Sequence, residues 1–411
     1  MDYNSFETPQ GNDELEEYYK QLNDKNNNNN MDSKMNIEQS DKNKIEQSGK
    51  NIIEQQTLTF DIYKKAPMVS LENCGNTSYM NCVIQGLANI RSIVSHYLKN
   101  LNEFKKNLEV MPLSYSFSRV IFHLYPYPQD PLPKSYSLSS FHKVVTYLNP
   151  IFKGNSNKSP VDFIVYLLDA LHNDDKKMPV YKNNLNGKNM DKNNNFKEFI
   201  KILSEEEKSI IFTNFCWINQ KIKKCNGCNS ESILYQKFFT FDLDIEGFLD
   251  DLQINKKMIN NEIHILECIK YQCQSRKLHN CHCQNCGRKN DFSNESNIRI
   301  SPPIFVLLIK LNDNFIQELI KNNYKIMIDY DISLSDIIKD QQNYLNYTLH
   351  GCVVYNPDAL HENNKYLAYF CSPADKNWYL YDDNIIKNIQ NQYKNIHNYR
   401  MYPVILFYRH C

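Results

Sequence analysis

Leu71 to Leu87 read LENCGNTSYMNCVIQGL, a turn that runs straight into a helix. Asn73, Cys74, Gly75, Asn76 and Thr77 are a polar, turn-forming run. Met80, Val83, Ile84 and Leu87 then recur at helical spacing and share a face, with Asn76 or Thr77 placed as the N-cap. A loop-to-helix junction of this kind gathers unpaired backbone N–H groups and the positive end of the helix dipole. It suits an anion or a developing oxyanion.

The chain around this stretch has 411 residues, 41% of them hydrophobic and 12% aromatic, enough for one large core or two modest ones. Its 47 basic residues balance 47 acidic ones, so nothing in the charge points to nucleic acid or an anionic membrane. No apolar run reaches the length of about 18 residues that spans a bilayer, and no apolar segment follows a basic N-terminus; membrane insertion and secretion are not expected. Residues 1–56 are rich in Asn, Asp, Glu, Lys and Gln, repeat IEQS at 37–40 and 45–48, and read as a disordered low-complexity arm. Similar Asn/Lys-rich inserts at 182–196 and 253–262 read as surface loops.

From residue 57 to the C-terminus the pattern is globular. Helical spacing dominates to about 175, notably in PVDFIVYLLDALHND (160–174), where Phe163, Leu167, Ala170 and Leu171 share a face. Beyond 230, β-rich runs take over at 238–245, 302–311, 347–355, 365–371, 378–383 and 402–408. Helices first and a mainly antiparallel sheet second give the class α+β.

Of the 13 cysteines, Cys225 and Cys228 form one C-x-x-C pair and Cys283 and Cys286 another. Each pair can grip one edge of a tetrahedral Zn²⁺ as thiolates, with Gly227 and Gly287 allowing tight turns around the ion. The pairs are too far apart for a compact zinc ribbon, and a redox C-x-x-C or chance pairing stays open. Cys281 is a nearby substitute for Cys283, with Cys268 and Cys273 as weaker competitors. An odd cysteine count with such pairs suits a reducing compartment, cytoplasm or nucleus, better than a disulfide framework.

The opening stretch resembles the cysteine box of the ubiquitin-specific proteases, roughly N-x-G-N-T-C-Y-M-N-S-x-x-Q. Asn73, Gly75, Asn76, Thr77, Tyr79, Met80, Asn81 and Gln85 fall in register, and the family's nucleophilic cysteine falls on Ser78. The second C-x-x-C pair is followed by the family's K…I…P-P…L…L-K pattern as Lys289, Ile300, Pro302, Pro303, Leu307, Leu308 and Lys310. The histidine box is matched by Tyr347, Leu349, Val353, Tyr366, Tyr369, Trp378, Tyr379, Tyr381, Asp382 and Asp383. Its G-H pair, however, reads Asn364-Lys365. The resemblance covers about residues 66–408. It implies a papain-like fold with a helical thumb, a β palm and a zinc-bearing β fingers subdomain at about 220–300. It also implies a closed structural zinc on Cys225, Cys228, Cys283 and Cys286.

The resemblance also assigns positions in the site: Ser78 the nucleophile, Lys365 the base, Asp382 the orienting acid, Asn73 the oxyanion donor. A cysteine protease needs a thiolate and a histidine, and both are replaced. A Ser78–Lys365 dyad needs a neutral lysine, and a carboxylate at Asp382 would hold the lysine charged. His361, Cys74 and Cys82 are the remaining sources of rescue; His361 reads as a loop histidine and the two cysteines as small packing residues. Along the tail channel, Ser159 replaces a family Asp, Asp162 keeps an acid, and Asn364 adds a side chain where a Gly-Gly tail must pass. The expectation is a catalytically inactive pseudo-deubiquitinase that binds ubiquitin or a ubiquitinated protein, or serves as a scaffold in a larger protein complex. The alternative is a working isopeptide hydrolase with a non-standard nucleophile or base.

Overall fold

The structure, a computed structural model, describes residues 67, 69–125, 134–154, 158–178, 196–254, 261–338, 344–357, 366–390 and 401–411. The 1–56 arm, most of the two Asn/Lys-rich inserts, His361, Asn364 and Lys365 lie outside the described residues.

Helices come first. A short parallel pair, β1 (Ser70–Leu71) and β2 (Ser135–Tyr136), brackets α1 (Ser78–Ala88), α2 (Arg91–Lys99), α3 (Leu101–Lys106) and α4 (Pro112–Leu124). Then follow α5 (Ser139–Leu148), a 3-10 turn (Pro150–Phe152), α6 (Pro160–Asp175), α7 (Phe196–Glu206) and α8 (Ile210–Phe215). α6 starts where the sequence says it should. Ser159 Oγ accepts from Val161 N at 3.1 Å, and Pro160 occupies the first helical position, where its missing N–H costs nothing. Phe163, Leu167 and Leu171 are fully buried on the expected face.

The chain then turns to strands: β3 (Trp217–Cys225), β4 (Glu231–Phe238), β5 (Phe241–Leu243), α9 (Ile245–Ile254), β6 (Glu262–His264), α10 (Ile265–Gln272), β7 (Arg276–His282) and β8 (Lys289–Ile300). It ends with β9 (Ile304–Ile309), α11 (Asp313–Lys321), β10 (Lys325–Met327), β11 (Asp331–Ser333), β12 (Asn346–Tyr355), β13 (Tyr366–Cys371), β14 (Trp378–Asp382), β15 (Ile385–Asn388) and β16 (Tyr402–His410). A narrow antiparallel sheet has the order β4-β3-β8-β7. A larger eight-stranded sheet has the order β15-β14-β13-β12-β16-β9-β5, with β11 also on β12.

Two expectations change here. The segment 238–245 is not one strand, because Thr240 turns its carbonyl to Trp217 Nε1 (2.8 Å) and the chain leaves the narrow sheet for the large one. The narrow sheet is therefore built from two separated segments, 217–238 and 276–300, rather than a continuous run from 220 to 300. Between them, α9, β6 and α10 pack with the large sheet.

The large sheet is buried on both faces. Along β9, Ile304, Val306 and Leu308 join the core shared with the helices, while Phe305, Leu307 and Ile309 join a second core with α9, α10 and α11. Continuous apolar strands such as IFVLLI are what double-sided burial requires.

α1 lies against β13 in the first core. The ring of Phe370 fills the space left by two glycines: a Cβ on Gly351 would stand 1.9 Å from it, and one on Gly86 2.7 Å. α1 was expected to show one apolar face, yet all eleven of its residues are buried. Its polar face is covered by the segment preceding it. Gln85 Nε2 donates to Val69 O (3.1 Å), and Asn81 Nδ2 donates to Leu71 O and Glu72 O. The helix is thus central, with amides in place of water on its polar side.

Candidate active site

The turn before α1 is held by its own side chains. Gly75 (φ 86°) and Asn76 (φ 62°) are left-handed, the conformation for which Gly and Asn are suited. Asn73 Oδ1 accepts from Thr77 N at 3.0 Å, and Thr77 Oγ1 accepts from Cys74 N at 2.9 Å. Thr77 is the N-cap residue by position, but its hydroxyl makes no capping bond to the helix; it is spent on closing the turn.

The carboxylate that reaches this turn belongs to Asp383, the residue after Asp382. Asp382 ends β14, and Asp383 begins the two-residue link to β15 in a left-handed conformation (φ 42°). Its oxygens accept from Asn73 Nδ2 (2.9 Å) and Asn81 Nδ2 (2.7 Å), while its carbonyl accepts from Leu71 N (3.3 Å). A strained backbone is held here by three bonds to the α1 region. Burial, with a smaller push from Asp382, outweighs the amide bonds from Asn81 and Asn73 and raises the Asp383 carboxyl to about 6. The sequence reading gave a role to Asp382 alone. The signal for Asp383 was the doublet itself at a strand end, where a polar turn must follow.

Ser78 is the first residue of α1 and only 3% exposed. Its hydroxyl has no sulfur's acidity, and Lys365, at the base position, lies outside the described residues. Two cysteines lie near it in sequence, Cys82 and Cys74. Cys82 is fully enclosed, and its pKa is raised well above that of a free thiol by burial and by the charges of Asp383 and Asp382. Cys74 Sγ sits 3.2 Å from Ser137 Oγ and 3.4 Å from Ser139 Oγ, beside the turn rather than on the helix. His350 is at the wrong end of α1. Its Nε2 is 3.0 Å from Asn89 O, about 16 Å along the helix axis from Ser78 at about 1.5 Å per residue.

At the end of the narrow sheet, Cys225, Cys228, Cys283 and Cys286 place their sulfurs within 4.8 Å of one another, close enough to hold a metal ion. The two C-x-x-C turns repeat one geometry. Asn229 N and Gly287 N reach back to Cys225 O (2.8 Å) and Cys283 O (2.9 Å), and both residues are left-handed, with φ 57° and 66°. Gly227, expected to serve the turn, instead makes room for Asn290, whose side chain a Cβ would meet at 2.5 Å. Asn290 Nδ2 donates to Cys286 Sγ (3.3 Å) and Asn285 Nδ2 approaches Cys228 Sγ (3.7 Å). The Ser230 hydroxyl and backbone, with Asn285, lower the Cys228 thiol to about 6. Cys228 and Cys283 sulfurs are 3.7 Å apart, against the spacing of about 3.8 Å set by Zn–S bonds of about 2.3 Å in a tetrahedron. Cys281 does not join them; its Sγ faces His279 O.

A cavity of about 660 Å³ opens between the 3-10 turn, α6, the narrow sheet and β5. Ile151, Val165 and Phe238, all exposed, line it together with Asp162, Trp217 and Lys310. Nearby, His172 links Ser209 Oγ at Nδ1 and Glu207 Oε2 at Nε2, both at 2.6 Å. Lys237 of β4 and Lys176 also pair with Glu207. Ser, His and Glu in series resemble a hydrolytic triad, but Ser209 is 1% exposed and its Oγ caps α8 by accepting from Phe212 N. This cluster ties α6 to the root of the narrow sheet. Burial favours the neutral Glu207, but the bonds from His172 and Lys237 outweigh it and lower the carboxyl to about 2.

Among the described residues, no helix is long and apolar enough to cross a membrane. The sequence model of a family described as "Ubiquitin carboxyl-terminal hydrolase" matches residues 69–408. Ubiquitin carboxyl-terminal hydrolase 5 of Saccharomyces cerevisiae is 22% identical over 374 residues, covering 78% of this chain and 42% of the relative. Ubiquitin carboxyl-terminal hydrolase 2 of Homo sapiens is 23% identical over 338 residues, covering 78% and 52%. The chain thus spans about half or less of these relatives' lengths. A solved structure of the SAGA Ubp8/Sgf11/Sus1/Sgf73 DUB module bound to ubiquitin aldehyde contains a chain of similar fold, with TM-score 0.59 and 16% identity over 84% of this chain and 70% of that one.

Proposed function

Because this chain belongs to the ubiquitin carboxyl-terminal hydrolase family, we infer that its domain works in the ubiquitin system as a catalytically silent reader of ubiquitin. The observation that carries the silence is the occupant of the nucleophile position. Ser78, buried at the start of α1, supplies no thiolate, Cys82 beside it is held as a thiol, and the base position carries Lys365. Losing a general base typically costs about 10²–10⁴ in rate even where a nucleophile survives.

Binding is supported separately. The cavity between helices and sheets has exposed apolar walls at Ile151, Val165 and Phe238, which suit the body of a folded protein ligand. Asp162, at its edge, offers a carboxylate to a basic tail. The DUB module whose chain shares this fold is bound to ubiquitin aldehyde and carries three further subunits; a ubiquitin ligand and a larger complex are what we propose for this chain by analogy. Zinc is the metal we assign to the four thiolates. Four sulfur ligands leave no open coordination position, so its part would be structural, and the free thiols suit the cytoplasm or nucleus.

Labelling with ubiquitin carrying a C-terminal electrophile tests the silence. No adduct should form on the full chain, and a covalent adduct on Cys74, Cys82 or Ser78 would overturn the reading.

A further inference from the structure

A second cavity, of about 310 Å³, opens between the start of α2, β12 and the end of β16, at the opposite end of α1 from Ser78. We propose that this cavity captures the free carboxyl terminus of a partner peptide whose last side chain is apolar.

Its charge is one-sided. Arg91, Arg409, His350 and His410 line it, and no carboxylate does; Arg91 also donates through Nη2 to Pro373 O, so Arg409 is the cation the site can spare. The Arg409 guanidinium has no ion-pair partner among the described residues. Arg91 and Ser92 also begin the nine-residue α2, whose N-terminus has no side-chain cap and adds a dipole that favours an anion.

One acceptor on a buried side chain lies unused beside these cations. His350 is 6% exposed; its Nε2 faces a carbonyl and must donate, which leaves Nδ1 a lone-pair acceptor without a partner among the described residues. Burial holds this imidazole neutral, lowering its pKa to about 4. A ligand that satisfies the site therefore brings an anion and an N–H together, as the last residue of a peptide does with its carboxylate and amide. Ile90, Pro303, Ile304 and Tyr344 supply apolar walls that a bare phosphate would not use. The volume is at the small end of ligand pockets, which span roughly 300–1,000 Å³, and suits one terminal residue.

The test is an array of acetylated fluorescent tetrapeptides with every residue in the last place, each made as free acid and as amide, titrated against the full chain. Free acids ending in Leu, Ile, Val, Met or Phe should bind, and their amides should bind about tenfold more weakly or worse, the scale of a lost charge-assisted hydrogen bond. Arg409→Gln, at an exposed position, should weaken the acids by a similar factor; Arg91→Gln serves if the first variant does not fold. Equal binding of acids and amides, no binding by any peptide, or inorganic phosphate binding as tightly as the best acid would each overturn the proposal.

Discussion

Asn73 Nδ2 donates to Asp383 Oδ2 at 2.9 Å while Asn73 Oδ1 accepts from Thr77 N at 3.0 Å. The side chain at the oxyanion position is thereby fixed from both ends of its amide, by the turn on one side and the β14–β15 link on the other. If the scaffold of the site is kept while its chemistry is replaced, as we propose, activity should return in steps. Ser78→Cys alone should leave hydrolysis of a fluorogenic ubiquitin substrate at background. Adding Lys365→His should raise it by about 10²-fold or more, the usual worth of a positioned base. A single variant as active as the double one would contradict this.

Asp383 should make stability depend on pH. Its folded-state pKa of about 6 lies above its ordinary value of 3.8, so the ionised form is disfavoured by folding. Stability from this group is therefore gained as pH falls from about 6 toward 4 and is lost on the way back up. At about 1.4 kcal/mol per pKa unit the swing is roughly 2–3 kcal/mol. Thermal melts of Asp383→Asn should lack that swing, which isolates it from other titrations.

Glu207 should act with the opposite sign. Its carboxyl is lowered from 4.5 to about 2, so the stability it contributes is present above about pH 4.5 and is lost as pH falls through 2. Glu207→Gln should destabilise the protein at neutral pH by about 1–3 kcal/mol, the scale of hydrogen bonds to a charged group, and should flatten the acid limb of the melting curve.

Removing the zinc we assign to the four cysteines should loosen one part of the molecule. A strong chelator, or Cys225→Ser, should release one zinc per chain by elemental analysis. Hydrogen exchange should then rise in 217–238 and 276–300, while β9, β12 and β16 in the large sheet stay protected.

The packing of Phe370 between Gly86 and Gly351 should tolerate little change. Gly351→Ala places a methyl inside the ring's contact distance and should cost about 1–3 kcal/mol in urea unfolding. Phe370→Leu in the same chain should recover part of that loss, since the two sites share one space.

Much of this was legible in the chain. The turn, the start of α1 and the core strands of the large sheet follow from local chemistry at the residues concerned, while the meeting of the two C-x-x-C pairs was implied by the family resemblance. What escaped depends on distant partners. The full burial of Asn81 and Gln85 is set by the Val69–Glu72 segment lying over them, and no helical period records that. The break at Thr240 is set by Trp217, and the role of Asp383 by Asn73 and Asn81, more than three hundred residues away in sequence. The strands of the narrow sheet, with burial that is mostly partial, carry too little hydrophobic contrast to announce themselves.

The central claim is recognition without cleavage, and one experiment reads both halves on the same sample. The purified 411-residue chain is titrated with labelled mono-ubiquitin while a fluorogenic ubiquitin substrate reports hydrolysis. The account predicts saturable binding and no turnover above the Ser78→Ala control. Turnover above that control would contradict the silence, and the absence of any binding would contradict the reader.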